Sequence, residues 1–295
     1  MDPESTRAAA HTAPTGRADE KGGSRSGEPP ARTPRDFGAL WLPLMRSLTA
    51  VTRSWLVWKN ADAALAGIGD IDSAAMKAEW PEISTAFRAW AAEERLLPTT
   101  VCPHIPGGLN LLALPADSGS ILELGVKETK VFRGSILFRT EDLLPLAELD
   151  ARGFRRLRPG AEGVFKLVLN GARPGGRADE AGLAAKDVRR LLRLDPEGAR
   201  LAAPLFGPAA PSALAAASAA AAGGWDRRAM MALETWAILR GPRHPRLLAR
   251  RAWFRLRGSR SCPIVRALLG DHRRIPGDRP RWLAEVRREH VLHGG

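Results

Sequence analysis

Up to about Pro159 the chain alternates apolar runs of strand length with polar turns. Beyond it the apolar residues recur only at helical spacing. This change of period predicts an α/β (α+β) fold, a mixed sheet with flanking helices followed by a helical C-terminal domain, because period 2 fits a sheet and period 3.6 a helix face. A chain of 295 residues can build one large domain or two modest ones. The expected division is a disordered tail over 1–36, an α/β domain over 37–158, a helical domain over 159–224 and an Arg-rich helical region over 225–295. The tail is assigned from its Ala, Gly, Pro, Ser and Thr content, which buries too little surface to offset the entropy of ordering.

Within the α/β part, Leu40, Trp41, Leu44, Met45 and Leu48 mark a first helix. Residues 55–58 form an apolar strand, 59–65 a short polar connection or helix, and 68–73 the next strand. Pro81 suits the first turn of a helix that runs to about Pro98. Residues 100–102, 109–114, 121–127 and 135–138 read as further strands, and Asp142 begins another helix. Alternation over 121–127 places Leu122, Leu124 and Val126 on one face and Glu123, Gly125 and Lys127 on the other. The Ala-rich stretch 211–224 reads as a plain helix or a hinge, and its Gly223-Gly224 ending favours a break.

Charge narrows the classes of function less than the net +13 suggests. Residues 225–295 hold seventeen arginines and no lysine against six acidic residues, so eleven of the thirteen net charges sit there. Arg246, Arg250, Arg251, Arg255, Arg257 and Arg260, interleaved with Trp253 and Phe254, could bind phosphates or stack on bases; a solvated helix face is the plainer reading. Cys102 and Cys262 form no CxxC pair or disulfide framework, which fits a cytoplasmic protein. No apolar stretch is expected to span a bilayer, and the N-terminus lacks the apolar core of a signal peptide. His104, His290 and His293 lack the partners of a metal site. There is no Walker loop, complete dinucleotide fingerprint or nucleophile elbow.

The sharpest local signal is Gly67-Ile68-Gly69-Asp70-Ile71-Asp72. Side chains at i and i+2 of a strand share a face, so Asp70 and Asp72 can hold one divalent metal between them. Taken in order, Trp55 to Asn60, the Gly-x-Asp-x-Asp unit, Leu122-Glu123-Leu124, Arg133-Gly134, Gly153-Phe154, the run Glu162 to Gly171 and the Asp195 to Ala199 turn resemble the nucleotidyltransferase-like proteins of bacterial polysaccharide and natural-product gene clusters, within the DNA polymerase beta nucleotidyltransferase superfamily. The resemblance covers roughly residues 50–207.

It implies transfer of a nucleoside monophosphate from a nucleoside triphosphate, with Mg²⁺ as cofactor, to a small-molecule or sugar-type acceptor. It further implies Asp70 and Asp72 as catalytic metal ligands, Glu123 as the third carboxylate, and Lys59, Gly67 and Gly69 on the nucleotide's phosphates. The family's third aspartate position corresponds to Gly125, so a catalytically degenerate binding protein is the alternative, with nucleic-acid binding through the Arg-rich region a further one. Lys127 and Arg133 read as solvated charges.

Overall fold

The computed structural model describes residues 36–96, 99–102, 107–113, 122–179, 185–246 and 249. The expected N-terminal tail (to residue 35), His104, Cys262, the two C-terminal histidines and the Arg-rich region beyond residue 246, residue 249 apart, lie outside these residues. The element order is α1 (Phe37–Val51), β1 (Leu56–Lys59), α2 (Ala61–Leu65), β2 (Ile71–Ala74), α3 (Trp80–Glu93), β3 (Thr99–Cys102), β4 (Gly108–Ala113), β5 (Leu122–Lys127), β6 (Thr129–Phe132), β7 (Ser135–Arg139) and α4 (Thr140–Leu143). Then come β8 (Ala147–Leu149), β9 (Arg155–Leu157), α5 (Pro159–Asn170), β10 (Ala172–Arg173), β11 (Arg177–Ala178), α6 (Ala185–Leu194), α7 (Pro196–Ala202), α8 (Ala210–Ala222) and α9 (Arg227–Arg240).

Seven strands form a mixed sheet in the order β3-β4-β5-β2-β1-β9-β8. Its centre pairs β1 with β2 antiparallel and β2 with β5 parallel, and β4 pairs antiparallel with β5. The α+β expectation is therefore met. Beyond residue 159 the strand pattern does not cease entirely, since β10 and β11 form a small antiparallel pair.

The alternation of β1 divides the core. Trp55 and Val57 join Ile71, Leu109, Leu111, Leu122, Leu124 and Val126 beneath α1 and α3. Leu56 and Trp58 face the other way, into a cluster that continues through Phe138, Phe165 and Phe206 to Leu233. That second cluster crosses the division expected near residue 158. Phe138 and Phe165 meet edge to face at 5.0 Å, and Phe206 bridges Phe165 and Trp236 at 6.2 and 5.9 Å. Such aromatic pairs add about 0.5–1.5 kcal/mol each beyond the area they bury. Sheet and helices thus share one apolar interior.

Close packing also ties the two halves. A Cβ at Gly160 would fall 1.8 Å from the carbonyl oxygen of Asp195, so only glycine lets α5 and α7 approach this closely. Asp195 caps α7 by accepting from the Gly198 N–H at 2.8 Å, and also accepts from the Gly160 N–H and the Arg158 guanidinium. Its burial opposes ionisation, but those hydrogen bonds prevail and hold the carboxyl below its ordinary range.

The Ala-rich stretch is an uninterrupted helix, α8, ended by Gly223 in the left-handed conformation at φ 88°. By length and composition one stretch among the described residues, Pro196–Ala222, could cross a membrane. No stretch of that kind was expected. It is not one helix: Gly207 breaks it at φ 53°, ψ −128°, and Ala202, Phe206, Ala213 and Ala217 face the core.

Candidate active site

The candidate site lies on the face of β2, β5 and β4 that turns away from α1 and α3. Ile71, Leu124 and Leu111 point into the core beneath, so their strand neighbours point outward by alternation. Asp72 stands beside Gly125 on β5, and Gly125 stands beside Asn110 on β4. Glu123 and Lys127 flank Gly125 at i−2 and i+2, on that same face. Asp70 immediately precedes β2, after a turn in which Gly67 and Gly69 adopt φ 78° and 84°. Gly67 is packed for structure, since a Cβ there would fall 2.6 Å from the Phe37 ring; around Gly69 the space is open.

Lys59 reaches the site through an irregularity. Val57 pairs with Ser73, and unbroken register would set Lys59 opposite Ile71. A bulge instead sets Lys59 opposite Asp72. The extra residue lets Trp58 stay in the core while Lys59 turns to the site face, where Nζ lies 2.9 Å from Asp72 Oδ2. The following Asn60 takes a left-handed φ of 62°, and its N–H donates to Glu162 Oε1 at 2.8 Å. Glu162 is 4% exposed and is itself held by Arg156 at 3.2 Å. The core helix α5 therefore fixes the backbone that carries Lys59.

The far side of the site is a relay of polar side chains. Asn110 Nδ2 donates to Glu123 Oε1 at 2.7 Å, and Lys127 Nζ donates to Asn110 Oδ1 at 3.2 Å. The solvated reading of Lys127 is corrected here: the side chain is 9% exposed, and desolvation pulls its pKa below the usual lysine value against the pull of Asp72, Glu123 and Asp70. Burial, then repulsion from Asp70, pushes the Glu123 carboxyl up to about 7. Burial and repulsion from Asp72 likewise raise Asp70. Arg133 lies elsewhere, in the β6–β7 turn, ion-paired with Glu234 at 3.0 Å.

Asp70, Asp72, Glu123, Lys59 and Lys127 are thus gathered on one face, with Gly69 in the turn that leads to it. Asn110 is the member that sequence reasoning missed. Its signal was available, as the one polar residue in the run Leu109 to Leu114, but an amide carries no charge to draw notice. Among the described residues no three His, Cys, Asp or Glu side chains are arranged to hold a metal ion. Asp70 and Asp72 offer the hard oxygen donors that one divalent cation takes, with water completing its coordination. Lys59 Nζ already places a positive charge against one of those carboxylates. Compared with protein-family models, curated proteins and solved structures, the chain matches none.

Proposed function

We propose that this chain is a metal-dependent nucleotidyltransferase that moves a nucleoside monophosphate from a nucleoside triphosphate to a small-molecule or sugar-type acceptor. The observation that carries the reading is the gathering of Asp70, in the turn just before β2, with Asp72 on β2 and Glu123 on the neighbouring parallel strand β5, and with Lys59 against Asp72. Asp70 and Asp72 would hold Mg²⁺, which when bound neutralises the triphosphate and polarises the phosphoryl group under attack. Lys59 supplies charge to the phosphates. Glu123, the remaining carboxylate of that face, held by Asn110, is the general base of this reading. It would take the proton of the attacking hydroxyl while Asn110 fixes its orientation.

Gly125 and the lack of a three-carboxylate group favour one alternative, a protein that binds the nucleotide without turnover. Calorimetric titration with Mg²⁺ and each nucleoside triphosphate tests the binding half, and pyrophosphate release in the presence of candidate acceptors tests the chemistry. Combined Asp70→Asn and Asp72→Asn substitution is expected to abolish both. Nucleotide binding that survives this double substitution would overturn the site assignment, and binding with no release for any acceptor would favour the alternative.

A further inference from the structure

We propose that Lys59 is an exchangeable counter-ion: it neutralises Asp72 when no ligand is present, yields that carboxylate to a divalent cation, and then takes the phosphates of the cation-bound nucleotide. The inference rests on the nucleotidyltransferase reading and adds an order of binding to it. A cation at Asp70 and Asp72 and the ammonium of Lys59 compete for Asp72, because Nζ lies 2.9 Å from Oδ2. Both side chains are largely shielded, at 14% and 13% exposure, so solvent does little to screen the competition.

Only the stem of Lys59 is free to respond. Its backbone is fixed by the bulge on one side and by the Asn60 bond to buried Glu162 on the other. Lys127 cannot take this part, being buried and bonded to Asn110 on the opposite side of Gly125.

Charge counting gives the direction. Without a cation, Lys59 is spent on Asp72 and Lys127 is buried against Asn110, so neither ammonium is free for a polyphosphate. A divalent cation brings two positive charges to the carboxylates, and the displaced Lys59 becomes an unspent positive charge beside it. Binding is therefore ordered, cation first, and Lys59 works in opposite senses on the two ligands: it opposes the free cation and favours the cation–nucleotide pair.

The test uses the full chain and Mn²⁺ as the probe. Lys59→Gln is expected to bind Mn²⁺ alone roughly fivefold tighter, the scale of one partly shielded ion pair, and Mn²⁺–ATP at least about tenfold weaker. Unchanged or weaker binding of Mn²⁺ alone overturns the exchange, even where nucleotide still binds. An unaltered Mn²⁺ affinity in Asp72→Asn instead removes the cation site and the functional reading with it.

A measurement on the wild-type protein needs no variant to fold. Reductive methylation read by mass spectrometry should label Lys59 faster with Mn²⁺ alone and slower once ATP is added. A rate at Lys59 that ignores Mn²⁺ overturns the proposal.

Discussion

Two clusters of charge lie within the same fold and differ in one respect, whether the carboxylates are matched. Around α5, Asp62, Asp150, Glu162 and Asp187 are interleaved with Arg152, Arg156, Lys166 and Arg190 in a closed network of ion pairs. Hydrogen bonds from Arg152 hold the Asp150 carboxyl far below its ordinary value. Burial raises Glu162 in that network, but Arg156 and Lys166 oppose the rise; on the β2–β5 face repulsion between the carboxylates adds to burial in raising Asp70 and Glu123. The matched cluster fastens helices to the sheet. The unmatched one stores unfavourable charge that a ligand can relieve, which is how sites differ from struts.

Breaking the matched cluster should have the largest effect. Glu162→Ala leaves Arg156 and Lys166 buried beside a missing partner and frees the Asn60 N–H, so a loss of about 3–5 kcal/mol is expected in denaturant unfolding. A loss below about 1 kcal/mol would show that the network is not the strut described.

In the unmatched cluster the sign turns over. Glu123 titrates near 4.5 when unfolded and about 7 when folded, so the fold favours its protonated form. Stability should be unaffected below the unfolded value and fall as pH rises through the window between the two, by on the order of 2–3 kcal/mol. Glu123→Gln should remove that fall, which melting curves between pH 4 and 8 would reveal.

The smallest change adds a carboxylate. At Gly125 a Cβ would stand 3.7 Å from the Ile71 carbonyl oxygen and 3.8 Å from Asn110 Oδ1, ordinary contacts. Gly125→Asp should therefore fold with a loss of about 1 kcal/mol from added repulsion, while tightening Mn²⁺ binding. A folded variant with unchanged Mn²⁺ affinity would mean that this face does not collect cations.

What the sequence disclosed follows from how regular each signal is. The alternation of β5 is unbroken, so the shared face of Glu123, Gly125 and Lys127 was legible, as was the strand pair around Asp72. The burial of Lys127 was not, because the residues that shield it come from other strands. Nor was the orientation of Lys59, since strict period 2 sends it to the wrong face. Strands β8 and β9 escaped notice because each has three residues and carries charge, as in Arg155–Leu157. The apolar cluster that runs across residue 158 was not legible either, since apolar periodicity records that a face is buried but not what buries it.

The bulge in β1 couples the phase of two surfaces. Trp58 and Lys59 are consecutive, yet both lie on the face of β1 that carries Leu56, one in the apolar cluster and the other at the site, and the single extra residue keeps them in phase. Deleting it would not merely misplace a lysine. It would set Trp58 opposite Asp72 and send the ammonium of Lys59 to the far face of the sheet, into the apolar cluster of Trp55, Val57 and Ile71. The bulge thus joins the seating of Trp58 in the core to the pairing of Lys59 with Asp72, so a change of length in this strand disturbs core and site together.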